Sequence, residues 1–359
     1  MSEVLSPREL NRATLARQFL LARERGSALD TIEHLGGMQS QAPLAPYIGL
    51  WTRLRDFDAL ELATLTETRQ VVRLPIMRGT VHLVSARDCL QWRTLFSPLY
   101  AAVFNAQFRR GIDGVDRDLL LARARKLFDD KPRTRAEMGK ILAQDWPDAD
   151  PNALAYAVTH HLALCQVPPR GVWNKSGAPR WAPVDDWLGA PLRSASVEDV
   201  VLRYLGAFGP AMVADVQQWS GLARLREVVE RLPLREFRGE SGQVLYDLPD
   251  APLPDGDMPA PPRFLPAYDN LLLSYKDRTR VIADARPVPL PPGNGTTAGT
   301  FLVDGVWHGI WQIAGHALRM RPFNRLARAD HDALIAEAAR LGEFLAPQTS
   351  LEPVIEISR

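Results

Sequence analysis

Three stretches of this chain repeat one order of local signals: helix-forming segments, then two β-prone runs about a tight turn. In the first, residues 7–25 set Leu10, Ala13, Leu15, Leu20 and Leu21 among charges in a helical pattern, with Ser6 as N-cap, Pro7 in the first turn and Gly26 as stop. Shorter helices are expected at 28–35, ended by Gly36-Gly37, then around 47–54 and 59–66. Residues 71–85, VVRLPIMRGTVHLVS, read as a hairpin about Met77-Arg78-Gly79. The order returns at 116–185, where helices at 118–128, 134–144 and 151–163 precede strands near Val172 and Trp181, with Trp173-Asn174-Lys175-Ser176-Gly177 as the tip. It returns again from Val197, with helices at 197–205, 211–219 and 222–231 and the hairpin LREFRGESGQVLYDL turning at Gly239-Glu240-Ser241-Gly242. Helices followed by a two-stranded wing describe a winged helix, and recurrence at a spacing of about 70–100 residues points to tandem units.

Residues 249–262, PDAPLPDGDMPAPP, are proline-rich and acidic, a linker by composition. Several strands and a final helix at 329–344 are expected after it. Gly293-Asn294-Gly295 is no phosphate loop, because neither Lys-Ser/Thr nor a helix start follows, and reads as a turn. The expected class is therefore α+β: three tandem winged-helix units followed by a small β-rich C-terminal domain closed by a helix. The corresponding divisions are 1–113, 114–190, 191–258 with the linker, and 259–359.

Composition narrows the chemistry. With 46% hydrophobic and 24% charged residues the chain is not intrinsically disordered. No stretch approaches the ~18 apolar residues of a membrane span, and the first residues lack a signal peptide's apolar run, so a cytoplasmic protein without a membrane partner is expected. Cys89 and Cys165 are too few for a disulfide framework or a cysteine-rich zinc site, although one long-range bridge stays open. His160 and His161 are adjacent, diverge by about 100° on a helix and fit no metal spacing. No G-x-S-x-G elbow is present. Neither a metal nor a cofactor is expected.

Formal charge is 43 − 42 = +1, which on totals argues against a strongly cationic nucleic-acid binder. Its distribution is uneven. Arg69, Arg73, Arg78, Arg87, Arg93, Arg109 and Arg110 face Asp88 alone between residues 69 and 110, and Arg319, Arg321, Arg325 and Arg328 precede Asp330. Segregation of this kind permits a phosphate-binding face on a neutral protein, and a scattered solvated surface satisfies the same count.

Gln39-Ser40-Gln41 sits between Gly36-Gly37 and a Pro43-bounded turn. On an extended backbone both amides point the same way. Amides donate and accept without ionising, so the pair can orient a water or a polar substrate; a polar turn bonding its own backbone is the plainer alternative.

Several segments together resemble one family. Gly37-Met38-Gln39-Ser40-Gln41, Met77-Arg78-Gly79-Thr80-Val81-His82-Leu83, Leu265-Pro266-Ala267-Tyr268-Asp269-Asn270-Leu271-Leu272-Leu273-Ser274, Asp277-Arg278 and Phe301-Leu302-Val303-Asp304-Gly305 are similar, in order, to the AlkZ/YcaQ family of bacterial DNA glycosylases. The resemblance implies tandem winged-helix units forming a concave DNA-binding surface. It also implies release of N7-alkylated purines, in some members with crosslink unhooking or self-resistance to DNA-alkylating natural products. The family motif is Gln, an aliphatic residue, then Gln or Asp; Gln39 and Gln41 match the Gln-x-Gln form, with Ser40 in place of the aliphatic centre.

On that basis Gln39 and Gln41 are the expected catalytic pair, holding water for a cationic base that leaves without protonation. Neutral lesions should then be poor substrates. Lys126, Lys131, Lys140, Lys175 and Lys276 lie away from the motif, so no lyase step is expected. The expected partner is double-stranded DNA containing alkylated purines, bound by a monomer, with no aromatic pocket for full base flipping. Arg73, Arg78 and Lys175 in the wings, and Lys276, Arg278 and Arg280 beyond the linker, are phosphate-contact candidates; His82 is a further one, or a strand residue with a structural partner. A winged-helix transcription regulator and a drug-sequestering resistance protein are the rival readings.

Overall fold

The computed structural model describes residues 3–284, 286–288, 298–346 and 351–356. From the N-terminus, β1 (Val4–Leu5) leads into α1 (Pro7–Arg17), where Ser6 accepts from the Glu9 amide and the Glu9 carboxylate accepts from the Ser6 amide at 2.8 Å, a complete capping box. The helix ends at Arg17, well short of Gly26. Phe19 takes a left-handed φ of 55°, and the Leu20 and Phe19 amides close back on the Leu15 and Ala16 carbonyls at 2.8 and 3.0 Å. This is a Schellman cap with its apolar contact between Leu15 and Leu20, so Leu20 is buried by a C-cap and not by a further helical turn.

α2 (Ala28–His34), β2 (Met38–Gln39), α3 (Ala45–Arg53) and α4 (Ala59–Glu67) follow, then the first hairpin, β3 (Val71–Pro75) with β4 (Val81–Ser85), antiparallel from Val71↔Ser85 to Pro75↔Val81. α5 (Ala86–Trp92) and α6 (Ser97–Gln107) precede the second helix series, α7 (Arg117–Arg125), α8 (Arg135–Leu142) and α9 (Pro151–His161). Its strands are β5 (Leu164–Val167) and β6 (Arg180–Pro183). Val172, expected in a strand, lies in the connection instead, its amide bonded to the Pro169 carbonyl at 3.1 Å. Pro168 and Pro169 supply no ladder N–H and stop β5. α10 (Val184–Leu188), α11 (Val197–Phe208), α12 (Val213–Ser220) and α13 (Arg226–Arg231) lead to the third hairpin, β7 (Arg235–Gly239) with β8 (Val244–Asp247). After residues 249–262 come β9 (Arg263–Leu265), β10 (Gly299–Val303), β11 (Val306–Ala314), β12 (Ala317–Pro322), α14 (Arg328–Leu345) and β13 (Glu352–Ile355). The class is α+β, as expected, and Gly293-Asn294-Gly295 lies outside the described residues.

The chain divides into two compact units. The first is discontinuous, built from Met1–Phe57, Val200–Trp219 and Arg224–Arg359. Its third-hairpin sheet runs β1-β7-β8, because Val4 and Leu5 pair in parallel with Arg238 and Gly239; nothing in two residues of sequence signals that strand. Leu5, Leu10, Phe237 and Leu245 form the apolar layer beneath it. A second sheet, in the order β13-β12-β11-β10-β9, buries Leu265, Leu302 and Trp307 with Leu15 and Leu20. Arg17 reaches from α1 to Asp247 on β8 through two bonds of 2.6 and 2.7 Å, both side chains almost fully buried.

The second unit is nearly continuous, Asp58–Asp199 with Ser220–Ala223. The first and second hairpins join into one sheet, β4-β3-β5-β6, with Arg73 opposite Gln166. Phe104, Leu120, Met138, Leu154, Val158 and Trp181 fill its helical core. Cys89 and Cys165 are buried and unbridged, which closes the disulfide left open by sequence, and burial pushes the Cys89 thiol up to about 12.

His160 on α9 donates from Nδ1 to the Tyr156 carbonyl at 2.8 Å, and burial, with Arg135, His161 and Arg93 nearby, pushes its pKa down to about 4. The folded state therefore refuses a proton that the unfolded chain accepts near pH 6.5. Stability from this residue is complete above about pH 6.5 and is lost as pH falls toward 4, by at most about 1.4 kcal/mol per pH unit. Urea unfolding across that window should show the slope, and His160→Gln should flatten it; an unchanged slope in the variant would place the effect elsewhere.

Candidate active site

Gln39 is held by a short, heavily constrained segment of the first unit. α2 closes in a second Schellman cap, the Gly37 amide reaching the Ile32 carbonyl at 2.9 Å while Gly36 and Gly37 take φ of 66° and 95°. Gly36 also lies against Trp219, whose ring would stand 2.8 Å from any Cβ added there. Glycine is thus required twice over, by conformation and by space. The chain then extends through β2, and Met38 drives its terminal methyl into the notch at Gly49 on α3, 2.4 Å from where a Cβ would sit.

Gln39 is 7% exposed and Ser40 fully buried, so Ser40 occupies the kind of interior position an aliphatic residue would. Gln41 is half-buried. The extended backbone that would aim both amides one way covers only Met38 and Gln39, and Gln41 follows in a bend.

Gln39 lines a cavity of about 10 Å³ together with Gln18, Gly37, Arg53, Asp269 and Asn270, room for about one water molecule. Gln41 lies outside that lining. The polar wall is one connected network. Arg53 donates to both oxygens of Asp269 at 2.9 Å each, to the Gly49 carbonyl at 3.0 Å and to Gln18 Oε1 at 3.2 Å. Gln18 Nε2 in turn donates to the Ala207 carbonyl at 2.6 Å. Asp269 Oδ1 also accepts from the Leu271 amide at 2.9 Å, and Asn270 Nδ2 donates to the Gly37 carbonyl at 3.2 Å. The arrangement presents amides and a neutralised ion pair around a water-sized space. It can orient a water; it holds no uncommitted acid.

Asp269 and Asn270 stand in a family-like segment that assigns them no role, and Gln18 and Arg53 stand in none. Nothing in their spacing announces them, because their partners lie as far as 216 residues away. Among the described residues no group of three or more His, Cys, Asp or Glu is placed to hold a metal, and no helix is long and apolar enough to cross a membrane.

The cationic candidates separate by burial. In the first unit Arg280 is 7% exposed, donating to the Pro210 carbonyl at 2.8 Å and lying 4.3 Å from the Tyr275 ring. Lys276 is exposed, and its backbone amide bonds Asp215 Oδ1 at 2.8 Å. Asp215 is fully buried, and burial raises its pKa against the amides it accepts from. Arg278 is half-buried, with Nε on the Tyr275 carbonyl at 3.3 Å. In the second unit Arg73 is 3% exposed and packs on Gly171. His82 is fully buried, its Nε2 accepting from Arg78 at 3.3 Å while Nδ1–H donates to the Thr80 carbonyl at 3.0 Å. Lys175 pairs with Glu67 on the surface. Arg73, His82 and Arg280 are therefore interior residues, His82 as the strand residue with a structural partner that was its alternative reading, whereas Arg78, Lys175, Lys276 and Arg278 keep surface.

Comparison with known proteins identifies the family. A profile of the family described as DNA glycosylase AlkZ-like matches residues 32–344, and the chain belongs to that family. A relative from Streptomyces sahachiroi, named interstrand DNA cross-link repair glycosylase, is 23% identical over 366 aligned positions covering 91% of this chain and 93% of its own length. The structure of Streptomyces sahachiroi DNA glycosylase AlkZ superposes with a TM-score of 0.78 at 20% identity, covering 98% of this chain and all of that one; at that identity the likeness speaks for the fold.

Asp269→Ala would leave the buried Arg53 guanidinium without its counter-charge. The expected cost is about 3–5 kcal/mol, read as a lower urea midpoint at unchanged m value. A loss below about 1 kcal/mol would mean that Arg53 needs no carboxylate there.

Proposed function

We propose that this chain is a monofunctional DNA glycosylase that hydrolyses the N-glycosidic bond of cationic N7-alkylated purines in duplex DNA. The carrying observation is Gln39, fixed on the wall of a one-water cavity whose other polar groups are amides and a neutralised ion pair. Water oxygen bonds to C1′ while N9 departs with the bonding electrons, so a cationic purine leaves as a neutral base and one proton passes to solvent. No general acid is required for that leaving group, and an amide oxygen that accepts from the water supplies orientation. Gln39 holds the water and Gln41, in the bend that follows, completes its alignment on the bound strand.

A neutral adduct, which must be protonated to depart, is a poor substrate on this reading. The same chemistry serves a crosslink made of two N7-alkylated purines, each leaving as a neutral product, and the printed name of the 23%-identical relative supports including crosslinks. The protein acts as a monomer with three winged-helix units. Arg78, Lys175, Lys276 and Arg278 supply phosphate contacts.

Purified protein is incubated with an N7-methylguanine duplex, and free base and alkali-labile sites are measured. Wild type should release base and leave an intact abasic strand, and Gln39→Ala and Gln41→Ala should each slow release on the order of 10²-fold. No base from wild type, or unchanged rates in both variants, would overturn the assignment. Duplex affinity should fall linearly in log Kd against log salt, and Lys276→Ala with Arg278→Ala should each lower the slope by about 1. An affinity indifferent to salt would remove the phosphate contacts from this account.

A further inference from the structure

We infer that Asn270 is a positioning residue for the water-holding amide of Gln39, acting through the backbone of Gly37 and itself held in place by the Arg53–Asp269 pair; this rests on the hydrolytic role proposed for Gln39. Asn270 is 7% exposed and donates to the Gly37 carbonyl across 233 residues of sequence. That carbonyl closes the left-handed turn from which β2 departs, two residues before Gln39. Fixing its direction therefore fixes the plane of the peptide that launches the strand. Gly36 against Trp219 and Met38 in the Gly49 notch restrain the same segment by packing, and Asn270 adds a directed bond from another part of the cavity lining.

The neighbouring residue explains why Asn270 can hold such a line. Asp269 receives two parallel bonds from Arg53 and one from the Leu271 amide, so its carboxylate is tied both to α3 and to the backbone just beyond Asn270. A bidentate guanidinium–carboxylate pair fixes direction as well as distance. Asn270 is the next residue along and inherits that placement. The same wall of the cavity thus carries both the anchor and the brace, and the brace ends where the catalytic strand begins.

The test separates alignment from folding and from binding. Asn270→Ala removes the donor, and Asn270→Asp keeps the shape while replacing the donor with an oxygen that faces the Gly37 carbonyl. Single-turnover base release from an N7-methylguanine duplex should fall on the order of 10- to 100-fold in both, with duplex Kd within about 2-fold of wild type because no phosphate contact is touched. Hydrogen exchange in peptides covering residues 35–42 should quicken in both variants while peptides elsewhere, including those of the second unit, keep wild-type protection. Unchanged exchange at 35–42 would overturn the brace whatever the activity. Quickened exchange with an unchanged release rate would overturn its bearing on catalysis. If wild type itself releases no base, the hydrolytic reading falls and the exchange result still decides the brace.

Discussion

The buried pair of Arg53 and Asp269 is the constraint on which the site depends. Each side chain is almost completely removed from water, and desolvating two charges costs several kcal/mol per ion before their attraction repays it. Apolar residues of similar volume would often be at least as stable. What such residues could not do is impose direction. Arg53 ties the end of α3 to the segment after β9 and, through Gln18, to the C-terminal end of α1. Three regions of chain meet at one planar group, and the cavity beside Gln39 takes its shape from that meeting.

The same pair keeps the cavity electrically quiet. A carboxylate free beside Gln39 would attract a cationic base and also stabilise it in the ground state, which lowers KM without lowering the barrier. Held between two guanidinium nitrogens, the Asp269 charge is largely cancelled at short range. Amides then dominate the local field. They are suited to a reaction in which the leaving group brings its own positive charge and water needs orientation more than deprotonation.

Local chemistry made much of this legible in the sequence. Ser6 with Glu9, Thr134 with Glu137 and Asp150 before Pro151 are caps that act within a few residues, and the helices begin where they say. The Gly36-Gly37 stop and the Met77-Arg78-Gly79 turn are equally local. Errors arose where distant partners decide. Leu20 has helical periodicity yet belongs to a cap, because Phe19 turns left-handed and stacks on His34 at 4.6 Å. For Arg73 and Arg280 charge is visible in the sequence and burial is not. For the site, the family motif pointed to Gln39 and Gln41, while Asp269 and Asn270 stood in another motif with no role; the bond that links Asn270 to Gly37 spans most of the chain and leaves no periodicity or spacing to read.

The discontinuity of the first unit sets an order of events during synthesis. Residues 58–199 form the bulk of a self-contained group, whereas the strand carrying Gln39 waits for Asp269 and Asn270 to complete the cavity wall. Arg53 and Asp269 lie 216 positions apart, so at roughly 5–20 residues per second a ribosome takes some tens of seconds to deliver the partner of an already exposed guanidinium. Through that interval the nascent chain carries its glutamines without the surroundings that align them. The cavity wall is completed only as the last quarter of the chain is made, and a chain released early carries the motif without that wall.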